Sequence, residues 1–133
     1  MAISENVTIE SWIAGSTFAA GDLYKFVVAD TDGHVVLPNT TGNILPVGVL
    51  YGYTQTTSTD YEVVPVATFG VAKVRMAAST AAAGNWVAAS TDGFGIAPTT
   101  DAYTAGVIKY GSSGGANRIA SVQLFKIGPL STP

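Results

Sequence analysis

The chain repeats itself, and the repeat limits what it can fold into. Thr31-Asp32-Gly33 recurs as Thr91-Asp92-Gly93, and five residues further each copy reaches a proline, Pro38 and Pro98. Ala19-Ala20-Gly21-Asp22 reads again as Ala82-Ala83-Gly84-Asn85. Gly48-Val49-Leu50 matches Gly106-Val107-Ile108, Val64 and Val66 match Val122 and Leu124, and Gly70 matches Gly128. The separation starts at 63 residues (Ala19 to Ala82) and falls to 58 (Gly70 to Gly128) through small deletions. Two units of about 60 residues are each too small to hold a core without staples, so they are expected to share one. The units run over about 19–76 and 82–128, inside a domain of residues 19–133, and residues 1–18 precede them as an N-terminal extension.

Each unit is a series of short apolar runs cut by turn residues. Val7 to Ile13, Leu23 to Val28, Val35 to Leu37, Val47 to Tyr53, Tyr61 to Val66 and Phe69 to Met76 carry strand signals in the first part of the chain. Trp86 to Ala89, Gly95 to Ala97, Gly106 to Tyr110 and Ile119 to Ile127 carry them in the second. In Phe69 to Met76 the apolar Phe69, Val71, Val74 and Met76 oppose Lys73 and Arg75. Asp32-Gly33 and Asp92-Gly93 supply the positive φ of tight hairpins. Ala77 to Ala83 has no amphipathic stripe and reads as a loop. The predicted fold is all-β: a compact sandwich or barrel built from two pseudo-repeated halves.

Composition removes several classes of function. Six Lys and Arg among 133 residues, with a net charge of −3, leave no basic stripe to neutralise phosphates, so nucleic acid is not an expected partner. Without cysteine there are no disulfides, thiolate metal sites or Cys nucleophiles. Apolar runs are far shorter than the roughly 20 residues that span a bilayer, so no membrane partner is expected. The N-terminus carries no basic n-region followed by an apolar stretch. The chain therefore reads as made in a cytoplasm, and its Asn6-Val7-Thr8 and Asn39-Thr40-Thr41 sequons as incidental. Only 11% of residues are charged, against about 25% in a typical domain. So little charge points to a surface partly shared with a partner.

No chemical constellation stands out. His34, the single histidine, follows Asp32-Gly33 and reads as the exit of a hairpin; Phe94 holds its place in the second copy. Asp30-Thr31-Asp32-Gly33 opens like a calcium loop, but the fifth and twelfth positions hold His34 and Thr41 where ligands are needed. The nine acids are Glu5, Glu10, Asp22, Asp30, Asp32, Asp60, Glu62, Asp92 and Asp101, and no spacing singles out a catalytic pair. Gly111-Ser112-Ser113-Gly114-Gly115 lacks the Gly-Lys-Ser/Thr of a phosphate loop and reads as a hairpin tip. The expected catalytic, cofactor and metal residues are none.

Most aromatics read as packing residues. Trp12 is set apart because Val7 to Ile13 lies outside the repeated units. Such a strand either completes the domain's own sheet or adds to a partner's, and the sequence leaves both open. On the second reading the partner contacts are Val7, Ile9, Trp12, Ile13 and Phe18.

The turn-and-strand pattern also resembles a known family. Ala19-Ala20-Gly21-Asp22, Thr31-Asp32-Gly33, Pro46-Val47-Gly48-Val49, Val63-Val64-Pro65-Val66 and Gly70-Val71-Ala72-Lys73-Val74, with the second-half Ala82 to Asn85 and Ala105 to Ile108, are similar to the capsid decoration (cement) proteins of tailed bacteriophages. The resemblance covers roughly residues 19–128. It implies a β-rich structural protein without enzymatic activity or cofactor. Its partner would be the major capsid protein on the exterior of a virion, and its oligomer a homotrimer. The reading from a different class is a non-catalytic carbohydrate- or receptor-binding β module of a virion.

Overall fold

The computed structural model describes residues 6–38, 45–53, 62–77, 80–97, 104–113 and 118–124. Its strands are β1 (Val7–Ile13), β2 (Phe26–Ala29), β3 (Val35–Val36), β4 (Gly48–Leu50), β5 (Val63–Met76), β6 (Thr80–Ala81), β7 (Trp86–Ala89), β8 (Gly95–Ile96), β9 (Thr104–Tyr110), β10 (Ser112–Ser113) and β11 (Arg118–Leu124). A 3-10 turn, Ala20–Asp22, precedes β2. The all-β expectation is met, and the architecture is a barrel one.

β5 organises the molecule. It is one 14-residue strand where the sequence pattern suggested two. Its first half pairs antiparallel with β1, from Ile13 opposite Val63 to Val7 opposite Gly70. On its other side the same half pairs with β4, which pairs with β2, which pairs with β3. Ala14, just past β1, then meets Val35 in a parallel bridge, and the ring closes through Gly15 N donating to Val35 O at 2.8 Å. The second half of β5 pairs with β11, then β9, β7 and β8 follow. β8 returns to β5 by a parallel pair, Met76 with Gly95, and Ala77 N donates to Gly95 O at 3.0 Å. Closure removes the exposed edges that a flat sheet of short strands would carry. β6 and β10 form a separate two-stranded sheet.

Each ring has its own interior. Ala14, Phe18, Val27, Val35, Leu50, Val64 and Val66 fill the N-terminal barrel, all fully buried. Val74, Met76, Val87, Ile108, Ala120, Val122 and Leu124 fill the C-terminal one. Phe26, Val49 and Ala67 alternate along their strands with interior residues of the first barrel, so they face outward from it. They are nevertheless fully buried, because they pack into the cluster of the second barrel. The joint is also polar. Phe26 N donates to Gly93 O at 2.7 Å, Arg75 N to Tyr24 O at 2.8 Å and Arg75 Nε to Leu23 O at 3.0 Å. Lys73 N donates to Tyr51 Oη at 2.6 Å. Lys25 Nζ lies 4.6 Å from the centre of the Phe94 ring and 3.2 Å from Asp22 Oδ1.

The repeat is real at the level of hydrogen bonds, in a register different from the one the motifs suggested. Tyr24 N donates to Leu50 O and Leu50 N to Lys25 O; Gly84 N donates to Ile108 O and Ile108 N to Asn85 O. Tyr24 and Gly84 both have positive φ, 69° and 88°. Thus Asp22 aligns with Ala82, three residues away from the Ala-Ala-Gly match. Leu50 opposes Val66 as Ile108 opposes Val122, so Val66 aligns with Val122, two residues away from the expected match. Gly128 lies outside the described residues.

The extension preceding the repeat is the repeat's own first strand. Trp12 opposes Val64 as Val74 opposes Ala120, and Ile13 opposes Val63 as Arg75 opposes Ile119. β1 is therefore the counterpart of the second half of β5. The similarity was hidden because the outward positions differ: Ser11 and Ile13 stand where Lys73 and Arg75 hold the joint. Of the two roles open to Val7 to Ile13, completing the chain's own sheet is the one observed.

Candidate interaction surface

The five residues anticipated as partner contacts are not equivalent in the structure. Ile9 is 44% exposed and Ile13 is 43% exposed. Val7 and Trp12 are half-buried, Trp12 packing against the interior of the first barrel. Phe18 is fully buried within that interior, so its side chain has no surface to offer. The assignment of Phe18 to a partner surface is thus corrected: its ring is buried among Ala14, Val27, Val35, Leu50, Val64 and Val66, as an apolar ring is expected to be. The Trp12 indole Nε1 is buried without a hydrogen-bond partner among the described residues.

Other exposed apolar residues were not anticipated. Val63, opposite Ile13, is 60% exposed, Phe69 is 55% exposed and Trp86 is 46% exposed. Phe69 was expected on the inward face with Val71 and Val74. Gly70 has φ 94°, and Val7 pairs there while Thr8 pairs with Phe69 just before a register shift in β1. Period-2 alternation along β5 sets Phe69 on the outward face with Ala67, Lys73 and Arg75, opposite Val74 and Met76, so the expectation is corrected. Trp86 aligns with Phe26 once the repeat is set by Asp-Gly, and nothing in that alignment distinguishes its exposure from the burial of Phe26.

Asp30, Asp32 and His34 bring their ligand-capable atoms within 4.8 Å of one another. The arrangement has a local cause. Asp30 Oδ1 accepts from Asp32 N and from His34 N, both at 2.9 Å, and this shapes the hairpin between β2 and β3. In the second barrel Ser90 Oγ does the same for Phe94 N at 3.1 Å, without a charge. The Asp30 carboxylate thus has a structural role in the turn, which the second copy fills with the Ser90 hydroxyl.

A groove of about 560 Å³ opens where the barrels meet, lined among others by Val7, Phe69, Gly70, Lys109 and Gln123. It combines an exposed aromatic ring with one ammonium and the two side-chain amides of Asn6 and Gln123. Among the described residues no helix is long and apolar enough to cross a membrane. No protein-family model matches the chain, and no curated protein matches it in sequence.

Proposed function

We propose that the chain is a structural decoration or cement protein that binds the outer surface of a bacteriophage head and stabilises the shell by bridging capsomers, without catalysis. The observation that carries the reading is the Ile13–Val63 pair. Two apolar side chains, 43% and 60% exposed, stand opposite each other on the outer wall of a closed barrel. In a chain with 11% charged residues this is a surface suited to burial against protein. The resemblance of the turn-and-strand pattern to phage decoration proteins supplies the kind of partner, the major capsid protein, and favours a trimer on the capsid exterior.

The physical basis of cementing is simple. A bridging subunit adds contact area that exists only in the assembled lattice, so binding stabilises the assembled state by mass action. Repetition over the shell makes many modest contacts strong together. The test is co-sedimentation of the purified protein with expanded capsid shells, and a thermal scan of shells with and without it. The expected result is saturable binding and a higher shell disruption temperature. Glycan binding without shell binding would favour the receptor-binding alternative.

A further inference from the structure

The two Asp-Gly turns share a backbone and differ in the side chains set on it. Asp30 N donates to His34 O at 2.8 Å and Gly33 N to Asp30 O at 3.1 Å; Ser90 N donates to Phe94 O at 2.8 Å and Gly93 N to Ser90 O at 3.0 Å. Gly33 and Gly93 have φ 80° and 88°. The side-chain acceptor that shapes the loop is Asp30 Oδ1 in one copy and Ser90 Oγ in the other. The same turn thus forms with a hydroxyl and a phenyl ring where the first copy has a carboxylate and an imidazole. The charge of Asp30 and the ring nitrogens of His34 are surplus to the turn.

A third difference lies where each barrel closes. Gly15 N donates to Val35 O at 2.8 Å and Ala77 N to Gly95 O at 3.0 Å, so Gly15 and Ala77 are equivalent. A Cβ built on Gly15 would stand 2.8 Å from Asp30 Oδ2 and 3.0 Å from His34 Cβ. The copy with Ser90 and Phe94 carries a Cβ at that place; the copy with Asp30 and His34 leaves it out. Among the described residues, both hydrogen bonds to the Asp30 side chain end on Oδ1, and the glycine keeps room beside Oδ2. Asp30, Asp32 and His34 each bring one ligand atom to within 4.8 Å of the others, Asp30 and His34 half-buried and Asp32 exposed.

We propose that Asp30, Asp32 and His34 bind one divalent transition-metal ion of the zinc, cobalt and nickel group at the hairpin between β2 and β3. Two carboxylates and one imidazole are donors that suit such an ion, with water completing its shell. Calcium takes about six to eight oxygen ligands, and the distant ones of its loop are missing here; a transition ion needs only the local set. Asp30 Oδ1 fixes the backbone that carries Asp32 and His34, so binding orders little main chain. Asp32, the exposed member, is left to close onto the ion. The two carboxylates repel each other, and a dication between them removes that cost. His34 is also engaged within the chain. A ligating imidazole ordinarily holds a second partner through its other ring nitrogen, so such a contact is compatible with ligation. Ion binding is independent of the shell reading and is measured on the free protein.

The test uses the full chain without an affinity tag, treated with a chelator, desalted and titrated by calorimetry with zinc, cobalt and nickel ions. Zinc should bind at one equivalent, and calcium and magnesium at least about tenfold more weakly. His34 is the single histidine, so imidazole proton signals report on it alone. Nickel below one equivalent should broaden them ahead of the rest of the spectrum. Asp30→Ser and His34→Phe place the second copy's residues in the first turn. Both should keep the circular dichroism and urea midpoint of wild type and weaken zinc binding at least about tenfold, since even the partners of ligands contribute about 10–100-fold. Asp32→Ala changes an exposed side chain that makes no turn hydrogen bond among the described residues. It should weaken zinc binding equally, which separates loss of a ligand from a disturbed turn. No binding of zinc, cobalt or nickel at about 1 mM ion, nickel that leaves the His34 signals sharp, or a zinc affinity unmoved by the three substitutions would each overturn the proposal.

Discussion

The side chain of Met76 fills the space that a Cβ on Gly95 would need, with Sδ 2.7 Å from that position. These two residues form the parallel pair that closes the C-terminal barrel. In the N-terminal barrel the same closure joins Ala14 to Val35, with the large residue on the other strand. The two barrels solve one packing problem with opposite distributions of volume.

Gly95→Val should therefore destabilise the protein by about 1–3 kcal/mol through overpacking. Met76→Ala should cost about 2–4 kcal/mol through the cavity it leaves. The double variant reproduces the Ala14–Val35 arrangement and should be more stable than the sum of the single costs predicts, with a coupling of at least about 1 kcal/mol. Urea unfolding of the four proteins in a double-mutant cycle measures this, and strict additivity would count against the volume exchange.

Deleting residues 1–13 should abolish folding of the N-terminal barrel, because β1 is one strand of its ring and Ala14 is the residue that closes it. Phe18→Ala should cost about 3–5 kcal/mol for loss of a fully buried aromatic ring. Circular dichroism and amide hydrogen exchange check both. A truncated protein with undiminished protection over β2 and β4 would show that the strand is dispensable.

Gly70→Ala should cost about 2 kcal/mol or more. The residue has φ 94°, a region that side chains enter at about 1–2 kcal/mol. A Cβ there would also run into the carbonyl of Asn6. The expected readout is a lower urea midpoint with an unchanged slope.

Lys25→Ala should cost about 1 kcal/mol. The ammonium lies over the Phe94 ring and beside Asp22, with side-chain exposures of 13% and 17% in the ion pair. It ties the first barrel to the turn of the second, and a partly desolvated cation over a ring contributes on that order. Lys25→Arg should retain most of the stability, and added salt should narrow the gap between wild type and the Ala variant.

The strands and hairpins of this protein are determined locally. Asp32-Gly33 and Asp92-Gly93 make turns because glycine adopts positive φ at little cost, and Val, Ile and Thr alternation around them needs no distant partner. The repeat, the all-β class, β1 and β7 were legible for that reason. The register of the repeat was not, because Ala19 to Asp22 and Ala82 to Asn85 are alike in composition, whereas the alignment follows hydrogen bonds from Tyr24 to Leu50 and from Gly84 to Ile108. The merger of two apolar runs into β5 was hidden for the same reason: its halves are held by different neighbours, β1 and β4 on one stretch and β11 on the next. The apolar surface is likewise tertiary. Phe26 and Trp86 are equivalent in sequence pattern, and only the packing of one barrel on the other buries the first and leaves the second exposed. Burial depends on what lies across the fold, and a pattern read along one strand carries no information about that.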